Sequence, residues 1–245
     1  MTADAPTILA TSGGAVPSPR LAWQVGPLTE YAVELAGVAG RAPRVCAVPT
    51  AMGDSSYLIR CFHDAAQQQG WLASHLALFP MPNVDDIREH LLAQDVIWVL
   101  GGSVAGLLAM WRLHGVDAVM REVWQAGVVL TGVSAGSICW HVGGTTDSFG
   151  PQLRPVTNGL GLVPFSNGVH YDAEEQRRPL FQSLIGNGTL PAGYATDDGV
   201  GVLYRGTDFV GAFTEEDGKA AYFVERGSDG AAVVETRIDP TVLPA

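Results

Sequence analysis

Short apolar runs alternate along the chain with longer segments in which apolar residues recur every three or four positions. A short apolar run predicts a β-strand, and the longer periodicity predicts an amphipathic helix. The expected strands are Thr7–Thr11, Arg44–Pro49, His75–Phe79, Asp95–Leu100 and Val128–Thr131. The expected helices are Pro27–Ala39, Ser55–Gln69, Val84–Leu92, Val104–Leu113, Val116–Gln125 and Glu174–Ile185.

The order of these elements predicts the fold class. Strands and helices alternate, and Asp95–Leu100 is apolar after its first residue, as in a strand buried on both faces. This pattern indicates a mostly parallel sheet with helices on both sides. From Gly199 to Ile238 short strands follow one another, and we expect them to add an antiparallel edge. The prediction is an α/β fold, a three-layer α/β/α sandwich with extra C-terminal β-strands, in a single domain over residues 1–245.

Composition and charge restrict the possible partners. The chain has 245 residues, of which 47% are hydrophobic and 16% charged, and this composition suits a compact protein with a substantial core. Its formal net charge of -11 repels nucleic acid and anionic lipid, so neither is an expected partner. Every apolar stretch is broken well before the length of about 18 residues that spans a membrane, so we expect no membrane segment.

The three cysteines indicate a reducing compartment. Cys46, Cys61 and Cys139 are odd in number and widely spaced, which fits neither a disulfide framework nor a zinc site. We therefore expect a cytoplasmic protein. The sequence does not report the oligomeric state, and a monomer or homodimer is the expectation. Met1–Pro6 lacks a basic stretch followed by an apolar run, so no signal peptide is expected.

A candidate nucleophile lies where the strand Val128–Thr131 ends, in the sequence Gly132-Val133-Ser134-Ala135-Gly136. In a Gly-x-Ser-x-Gly turn between strand and helix, the serine adopts a strained backbone that exposes its hydroxyl. The helix that follows directs N–H groups toward developing negative charge, and the N–H of Ala135 is the natural first donor of an oxyanion hole. The alternative is a glycine-rich turn without catalytic function.

A second glycine pair, Gly101-Gly102, follows the strand Asp95–Leu100. Neighbouring parallel strands would bring this loop beside Ser134, where its N–H groups could complete the oxyanion hole. An ordinary turn of small residues is the alternative. No Gly-x-Gly-x-x-Gly pattern follows the first strand, which disfavours a dinucleotide site.

A serine nucleophile needs a base, and the chain has six histidines. His170 is the favoured candidate, because Asn167–Asp172 is a strand-like segment that ends where Ser134 should lie. A histidine that is merely hydrogen-bonded in a loop is the alternative. Surface positions are expected for His63, His90 and His114, a strand start for His75, and a place on the helix after Ser134, pointing away, for His141.

A carboxylate should hold the imidazole in one tautomer. The candidates are Asp147, Asp172, Asp197 and Asp198, and Asp172 is also a candidate helix cap. Spacing alone does not choose between them.

Several sequence blocks support a family resemblance. They are Val99–Gly102, Trp111–Gly115, Gly127–Gly136, Thr146–Ser148, Gly159–Leu162, His170–Asp172, Arg177–Pro179 and Asp197–Gly199. In this order they resemble the peptidase E (aspartyl dipeptidase) family of serine peptidases, of the class I glutamine amidotransferase-like superfamily. The resemblance implies exopeptidase action on short peptides, chiefly dipeptides with N-terminal aspartate, without metal or cofactor.

The resemblance also implies roles for individual residues. Ser134 and His170 match the nucleophile and base, and Asp198 matches the third member, where the family more often carries Glu. Asp147 is the rival for that position. Arg178, with Arg177 as its neighbour, matches an arginine on the helix after the base, and a guanidinium there would read the substrate carboxylate bidentately.

The glycine loop departs from the family pattern. Relatives usually have Gly-Gly-Asn-Thr where this chain has Gly101-Gly102-Ser103-Val104. Backbone donors survive the change, whereas substrate positioning near Ser103 would differ. The altered loop favours one alternative to a dipeptidase, a non-catalytic relative that binds a peptide or small molecule. The other alternative, a cyanophycinase-like hydrolase of β-aspartyl-arginine peptides, would share the fold and the nucleophile turn.

Overall fold

The computed structural model describes residues 3–227 and 232–244. Met1 and Thr2, on which the expectation about a signal peptide partly rests, lie outside these ranges. The helices are α1 (Pro27–Leu35), α2 (Ser56–Gln68), α3 (Ile87–Leu92), α4 (Val104–His114), α5 (Val116–Gln125), α6 (Ala135–Ile138) and α7 (Arg177–Gly186). Within the described residues, no helix is long and apolar enough to cross a membrane.

The strands are β1 (Thr7–Thr11), β2 (Ala15–Val16), β3 (Gln24–Val25), β4 (Arg44–Val48), β5 (Leu72–His75), β6 (Val96–Val99), β7 (Val129–Val133), β8 (Gly143–Thr146), β9 (Arg154–Val156), β10 (Ser166–Gly168), β11 (Gly193–Thr196), β12 (Val200–Arg205), β13 (Asp208–Thr214), β14 (Ala221–Arg226), β15 (Val233–Ile238) and β16 (Thr241–Val242). Among them, β2 and β3 pair only with each other as a small antiparallel ribbon after β1.

The larger sheet has eight strands in the order β16-β13-β12-β1-β7-β6-β4-β5. The five strands from β1 to β5 in this order are parallel neighbours, and β12 and β13 form the expected antiparallel edge. Strands β1, β6 and β7 pair in register at their carboxyl ends, with Thr11 opposite Val133 and Val99 opposite Gly132. The loops after these three strands therefore meet at one edge, where ligands bind in open α/β sheets.

Helices cover both faces of this sheet, which confirms the predicted fold class. On β6, Trp98 packs in a cluster with Val33 of α1 and Phe62 of α2. The preceding residue, Ile97, packs on the opposite face in a cluster that contains Trp111 of α4 and further residues of α5. Alternate strand residues point to opposite faces, so both faces must be apolar, and this requirement explains the continuous apolar run.

A second sheet was not predicted from the sequence. It has six strands in the order β15-β14-β11-β10-β8-β9, and α7 packs against it. Thus β14 and β15 do not extend the larger sheet. Strand β8 (Gly-Gly-Thr-Thr) lacks the apolar run that marks a strand, whereas β10 (Ser-Asn-Gly) overlaps the start of the strand-like segment expected at Asn167–Asp172.

The strand expected at His75–Phe79 is misplaced. The observed β5 is Leu72–His75, and the apolar residues after it form a buried loop. In that loop Asp54 Oδ2 accepts the N–H groups of Leu78 and Phe79 at 2.5 and 2.9 Å. A distant carboxylate satisfies the buried backbone there, so burial does not require a strand.

Candidate active site

Ser134 lies on a sharp turn between β7 and α6. Its backbone has φ 56° and ψ −111°, a conformation that L-residues rarely adopt. A Cβ on Gly132 would lie 2.4 Å from Gly136 O, and one on Gly136 would lie 2.2 Å from Val99 O. Both flanking glycines are therefore needed for the turn to pack against β6, as the sequence pattern predicted.

We expect Gly136→Ala to lower the free energy of unfolding by about 3 kcal/mol or more, because the new methyl group overlaps a backbone carbonyl in a packed core. The matched control is Gly211→Ala in β13, where the nearest atom to the new Cβ lies 3.8 Å away. That variant should stay within about 1 kcal/mol of the wild type. Urea unfolding followed by circular dichroism measures both, and equal stabilities would contradict the packing argument.

His170 contacts a carboxylate. Its Nδ1 lies 2.5 Å from Asp198 Oδ1, and the histidine follows β10 while Asp198 precedes β12. The histidine also has a positive φ of 53°, which turns it away from the strand direction. With Nδ1–H donating to Asp198, the other ring nitrogen is free to accept a proton.

Thr11, which ends β1, and Ser12, which follows it, accept backbone hydrogen bonds from the segments that carry Ser134, His170 and Asp198. Thr11 O accepts the N–H of Ser134 at 3.0 Å, and Ser12 Oγ accepts the N–H of His170 at 3.2 Å. Ser12 O accepts the N–H of Gly199, the residue after Asp198, at 3.1 Å. The structure thus brings Ser134, His170 and Asp198 to the same edge of the larger sheet.

The other acidic candidates lie elsewhere. Asp147 is exposed in the turn after β8, and none of its described side-chain contacts involves His170. Asp172 accepts the backbone N–H of Asp198 at 2.8 Å and pairs with Lys219 Nζ at 2.7 Å. Burial raises the pKa of Asp172, but these two hydrogen bonds outweigh it and lower that pKa overall. Asp172 therefore holds the Asp198 segment in place and does not cap a helix.

Asp197 is buried, and its described side-chain hydrogen bond does not involve His170. Its Oδ2 accepts the N–H of Ala220 at 3.0 Å. Burial, reinforced by the charge of Asp172, raises the pKa of Asp197. Of the four carboxylates considered, only Asp198 contacts His170 within the described hydrogen bonds.

The expected oxyanion donors surround Ser134. Ala135 begins α6, so its N–H has no acceptor within the helix. Gly101 is close to the nucleophile, since a Cβ built on it would lie 3.4 Å from Ser134 Cβ. Gly102 has φ 127°, and a Cβ there would lie 2.5 Å from Ala51 O, so this position requires glycine. Among the described hydrogen bonds, the N–H groups of Gly101, Gly102 and Ala135 donate to no protein acceptor.

The three residues expected to bind substrate already have structural partners. Ser103 caps α4, with its Oγ accepting the N–H of Gly106 at 3.1 Å. Arg177 is 2% exposed and donates to Thr145 O and to Glu174. The backbone carbonyl and the neighbouring carboxylate fix this guanidinium in the interior.

Arg178 is half-exposed and pairs with Glu235 of β15. Its guanidinium also lies over the rings of Tyr171 and Tyr222, 5.2 and 4.8 Å from their centroids. A substrate carboxylate bound by Arg178 would have to compete with Glu235 for the same donors.

The helix after Ser134 is shorter than expected, and this changes the place of His141. Helix α6 ends at Ile138, and His141 is fully buried, with Nδ1 2.9 Å from Ser137 O and Nε2 3.1 Å from Tyr204 Oη. Burial lowers the pKa of His141 to about 4, so it stays neutral in the core.

Two other histidines are also not free surface residues. His63 is half-buried, and its Nε2 lies 3.1 Å from Nδ1 of His75, which ends β5 and does not begin a strand. Burial lowers the pKa of His75, and the neighbouring His63 lowers it further. Among the described residues, no group of three His, Cys, Asp or Glu side chains is placed to hold a metal ion.

A cavity of about 350 Å³ adjoins His170, and we name it the acidic cavity. Its lining includes Ser12, Gly13, His170, Asp198, Glu215 and Glu216. No sequence pattern indicated Glu215, whose carboxylate accepts the N–H groups of Gly14 and Leu28 at 3.0 and 3.3 Å. Burial raises the pKa of Glu215, although these N–H donors oppose the shift. Glu215 thus caps the start of α1 from the loop after β13, which is distant in sequence.

Comparison with known proteins gives consistent results. The family model of peptidase family S51 matches residues 9–211. The uncharacterized peptidase YgaJ of Bacillus subtilis (strain 168) is 41% identical over 182 residues, which cover 74% of this chain and 78% of that protein. Peptidase E of Shewanella denitrificans is 34% identical over 113 residues, covering 44% of this chain and 48% of that protein.

Solved structures show the same fold. A protein described as a peptidase E from Listeria monocytogenes EGD-e has a TM-score of 0.60 at 19% identity, over 83% of this chain and 96% of that one. A peptidase from an acI-B1 actinobacterium has a TM-score of 0.66 at 16% identity, over 96% of this chain and 95% of that one.

Proposed function

Since the chain belongs to peptidase family S51, we propose that this peptidase is a serine exopeptidase that hydrolyses short peptides through Ser134, His170 and Asp198. The observation that carries the proposal is the 2.5 Å contact between His170 Nδ1 and Asp198 Oδ1 at the edge where Ser134 occupies its strained turn. Acyl transfer requires three groups, namely a nucleophile, a base and a carboxylate that orients the base.

The proposed reaction begins at the Ser134 hydroxyl. The second ring nitrogen of His170 takes the hydroxyl proton while Oγ attacks the peptide carbonyl, and Asp198 stabilises the imidazolium that forms. His170 then gives the proton to the departing amine, which leaves an ester on Ser134. Water, activated by the same imidazole, hydrolyses that ester and releases the acid.

The N–H groups of Ala135 and Gly102, together with Gly101, would bind the negative charge that develops on the carbonyl oxygen. They have no described protein acceptor. Donors that are fixed before the reaction cost no reorganisation and stabilise the transition state, typically by about 3–4 kcal/mol each. The requirement for glycine at position 102 supports this assignment.

Short peptides are the proposed substrates because the cavities at this edge are small. The acidic cavity measures about 350 Å³, near the lower end of the range of about 300–1,000 Å³ for small-ligand sites. To bind the N-terminal aspartate that the family resemblance implies, the Arg178 guanidinium would have to release the Glu235 carboxylate and pair with the substrate carboxylate instead. For Ser103, we propose that it acts through the start of α4 and does not contact substrate, because its hydroxyl caps that helix.

Hydrolysis of β-aspartyl-arginine peptides, as in a cyanophycinase-like enzyme, is the second candidate function. The acidic cavity favours it, since Asp198, Glu215 and Glu216 would attract a guanidinium on the side of His170. A non-catalytic binding function has less support. A binding protein has no need of strained backbone at Ser134, which costs about 1–3 kcal/mol.

For the cellular compartment, we propose the cytoplasm. Cys46, Cys61 and Cys139 are free and buried. Burial raises the pKa of Cys46 to about 12, which keeps this thiol protonated and unreactive.

The exopeptidase proposal predicts that free N-termini are needed. We expect the protein to release the first residue or residues from unblocked di- and tripeptides, and to cleave N-acetylated versions at least about 100-fold more slowly, as when a buried charged contact is lost. Amino-acid release followed by chromatography measures both rates. Equal cleavage of blocked and free peptides would exclude exopeptidase action on the N-terminus.

A further inference from the structure

A second cavity lies beside Gly101 and Val133, the neighbours of Ser134, and we name it the apolar pocket. Its volume is about 260 Å³, and its walls are the side chains of Ala15, Trp23, Met52, Leu58, Trp98 and Leu100. The lining is completed toward the nucleophile by Gly101 and Val133. None of these described lining residues is charged.

The apolar pocket adjoins residues next to the nucleophile. Val133 directly precedes Ser134, and Gly101 is so close that a Cβ on it would lie 3.4 Å from Ser134 Cβ. Met52 packs on the other glycine of the loop, where a Cβ on Gly102 would lie 2.8 Å from its Sδ. A side chain in this pocket would therefore belong to a residue whose backbone lies at Ser134.

The walls are preformed. Trp98 is 1% exposed on β6, and Trp23 stands edge-on to it at 5.5 Å between ring centroids with an interplanar angle of 88°. Behind them Phe62 meets Trp98 at 6.0 Å. Aromatic rings that are packed in this way keep the shape of the pocket without substrate. Binding therefore costs little conformational entropy in the pocket.

The two cavities meet at Ala15, and they differ in charge. The apolar pocket lies on the side of Ser134 and Gly101, whereas His170, Asp198, Glu215 and Glu216 line the acidic cavity. Among the described residues that line either cavity, none is Lys or Arg. An aspartate side chain would lose its hydration in the apolar pocket without gaining a partner, and carboxylates would repel it in the acidic one.

The proton transfer determines which end of the bound peptide lies beside His170. The base gives its proton to the departing amine, so the leaving group lies on the side of His170. The residue whose carbonyl is attacked must then lie on the opposite side, at Ser134 and the glycine loop. That is the side on which the apolar pocket opens.

We infer that the apolar pocket binds the side chain of the residue whose carbonyl Ser134 attacks, and that the enzyme selects an aliphatic or aromatic N-terminal residue over aspartate. This inference rests on the proposed function. The volume of about 260 Å³ is below that of a drug-sized site of about 300–1,000 Å³, and it suits one side chain such as Leu, Met or Phe.

The test compares dipeptides that share one leaving residue. For Leu-Ala, Phe-Ala, Gly-Ala and Asp-Ala, we expect kcat/KM for the Leu or Phe substrate to exceed that for Gly-Ala and Asp-Ala by at least about tenfold, the usual discrimination of an apolar pocket. In parallel, a fluorophosphonate probe reports whether Ser134 is reactive, independently of which peptide is preferred.

Variants at Leu58 assign the preference to the pocket. We expect Leu58→Arg, which places a cation in the apolar wall, to lower kcat/KM for Leu-Ala by at least about tenfold and to raise the ratio of Asp-Ala to Leu-Ala. The matched control is Leu113→Arg on α4, which makes the same change at a side chain that is 75% exposed and should leave both rates unchanged. If Leu58→Arg does not fold, Leu58→Ala is the second variant. It removes part of the same wall and enlarges the pocket, so it should raise the ratio of kcat/KM for Phe-Ala to that for Leu-Ala.

The outcomes separate the two proposals. A labelled Ser134 with Asp-Ala hydrolysed as fast as Leu-Ala, or faster, overturns the pocket assignment and leaves the serine peptidase intact. An unchanged substrate ratio in both Leu58 variants overturns it equally. A protein that is neither labelled nor active on any of the four peptides overturns the proposed function, and the pocket assignment with it.

Discussion

Ser134→Ala is expected to lower kcat by about 10⁵–10⁶-fold, because removal of a serine nucleophile leaves only binding and the oxyanion donors to act. Labelling by a fluorophosphonate probe should disappear in the same variant. The fold should survive the change, since among the described contacts the Ser134 hydroxyl forms no hydrogen bond and alanine fits the same turn. Peptide hydrolysis and labelling, both normalised to folded protein by circular dichroism, measure the effect.

The matched control is Ser183→Ala, which removes an exposed hydroxyl on α7. It should retain wild-type activity and labelling. If the wild type is not labelled, or if Ser134→Ala hydrolyses peptides at the same rate, Ser134 is not the nucleophile and a binding function becomes the better interpretation.

Asp198→Asn should lower kcat by about 10⁴-fold. The amide can donate to Nδ1 of His170 and so favours the tautomer whose other nitrogen carries the proton, which leaves no base facing Ser134. It also removes the charge that stabilises the imidazolium. The 2.5 Å contact between Asp198 Oδ1 and His170 Nδ1 is the basis of this expectation.

Asp147→Asn is the discriminating control, because Asp147 was the rival candidate in the sequence. Asp147 is exposed after β8, so this variant should change kcat by less than about twofold, as surface substitutions usually do. A large loss in Asp147→Asn together with near-normal activity in Asp198→Asn would reverse the assignment. Steady-state rates on one peptide suffice for the comparison.

Much of the fold could be predicted because its signals are local. Each parallel strand is predicted by an apolar run, and each covering helix by a 3.6-residue period of apolar residues, within a window of about ten residues. The observed bounds of α5 match the predicted Val116–Gln125, and those of β1 match Thr7–Thr11. The Ser134 turn also has a local signal, because Gly132 and Gly136 lie within the turn and a Cβ on Gly132 would meet Gly136 O.

The second sheet and the shortened α6 had no such local signal. Glycine-rich β8 is a strand because β9 and β10 supply its hydrogen-bond partners, and its sequence alone favours a loop. The sequence predicts that the helix after Ser134 continues to His141, whereas the helix ends at Ile138 and the histidine is buried in the core. Tertiary packing overrode local propensity at both places.

The sequence by itself determined the α/β architecture and the two strand ends that carry Ser134 and His170, because strand periodicity and a Gly-x-Ser-x-Gly turn depend on neighbouring residues. Only the tertiary structure decided which carboxylate contacts His170, since four aspartates were compatible with the spacing. It alone showed that Ser12 Oγ accepts the backbone N–H of His170, 158 positions away. Likewise, only the structure shows that Trp23 and Trp98 form an apolar wall beside the nucleophile. Such contacts join residues that are distant in sequence, and no local pattern encodes them.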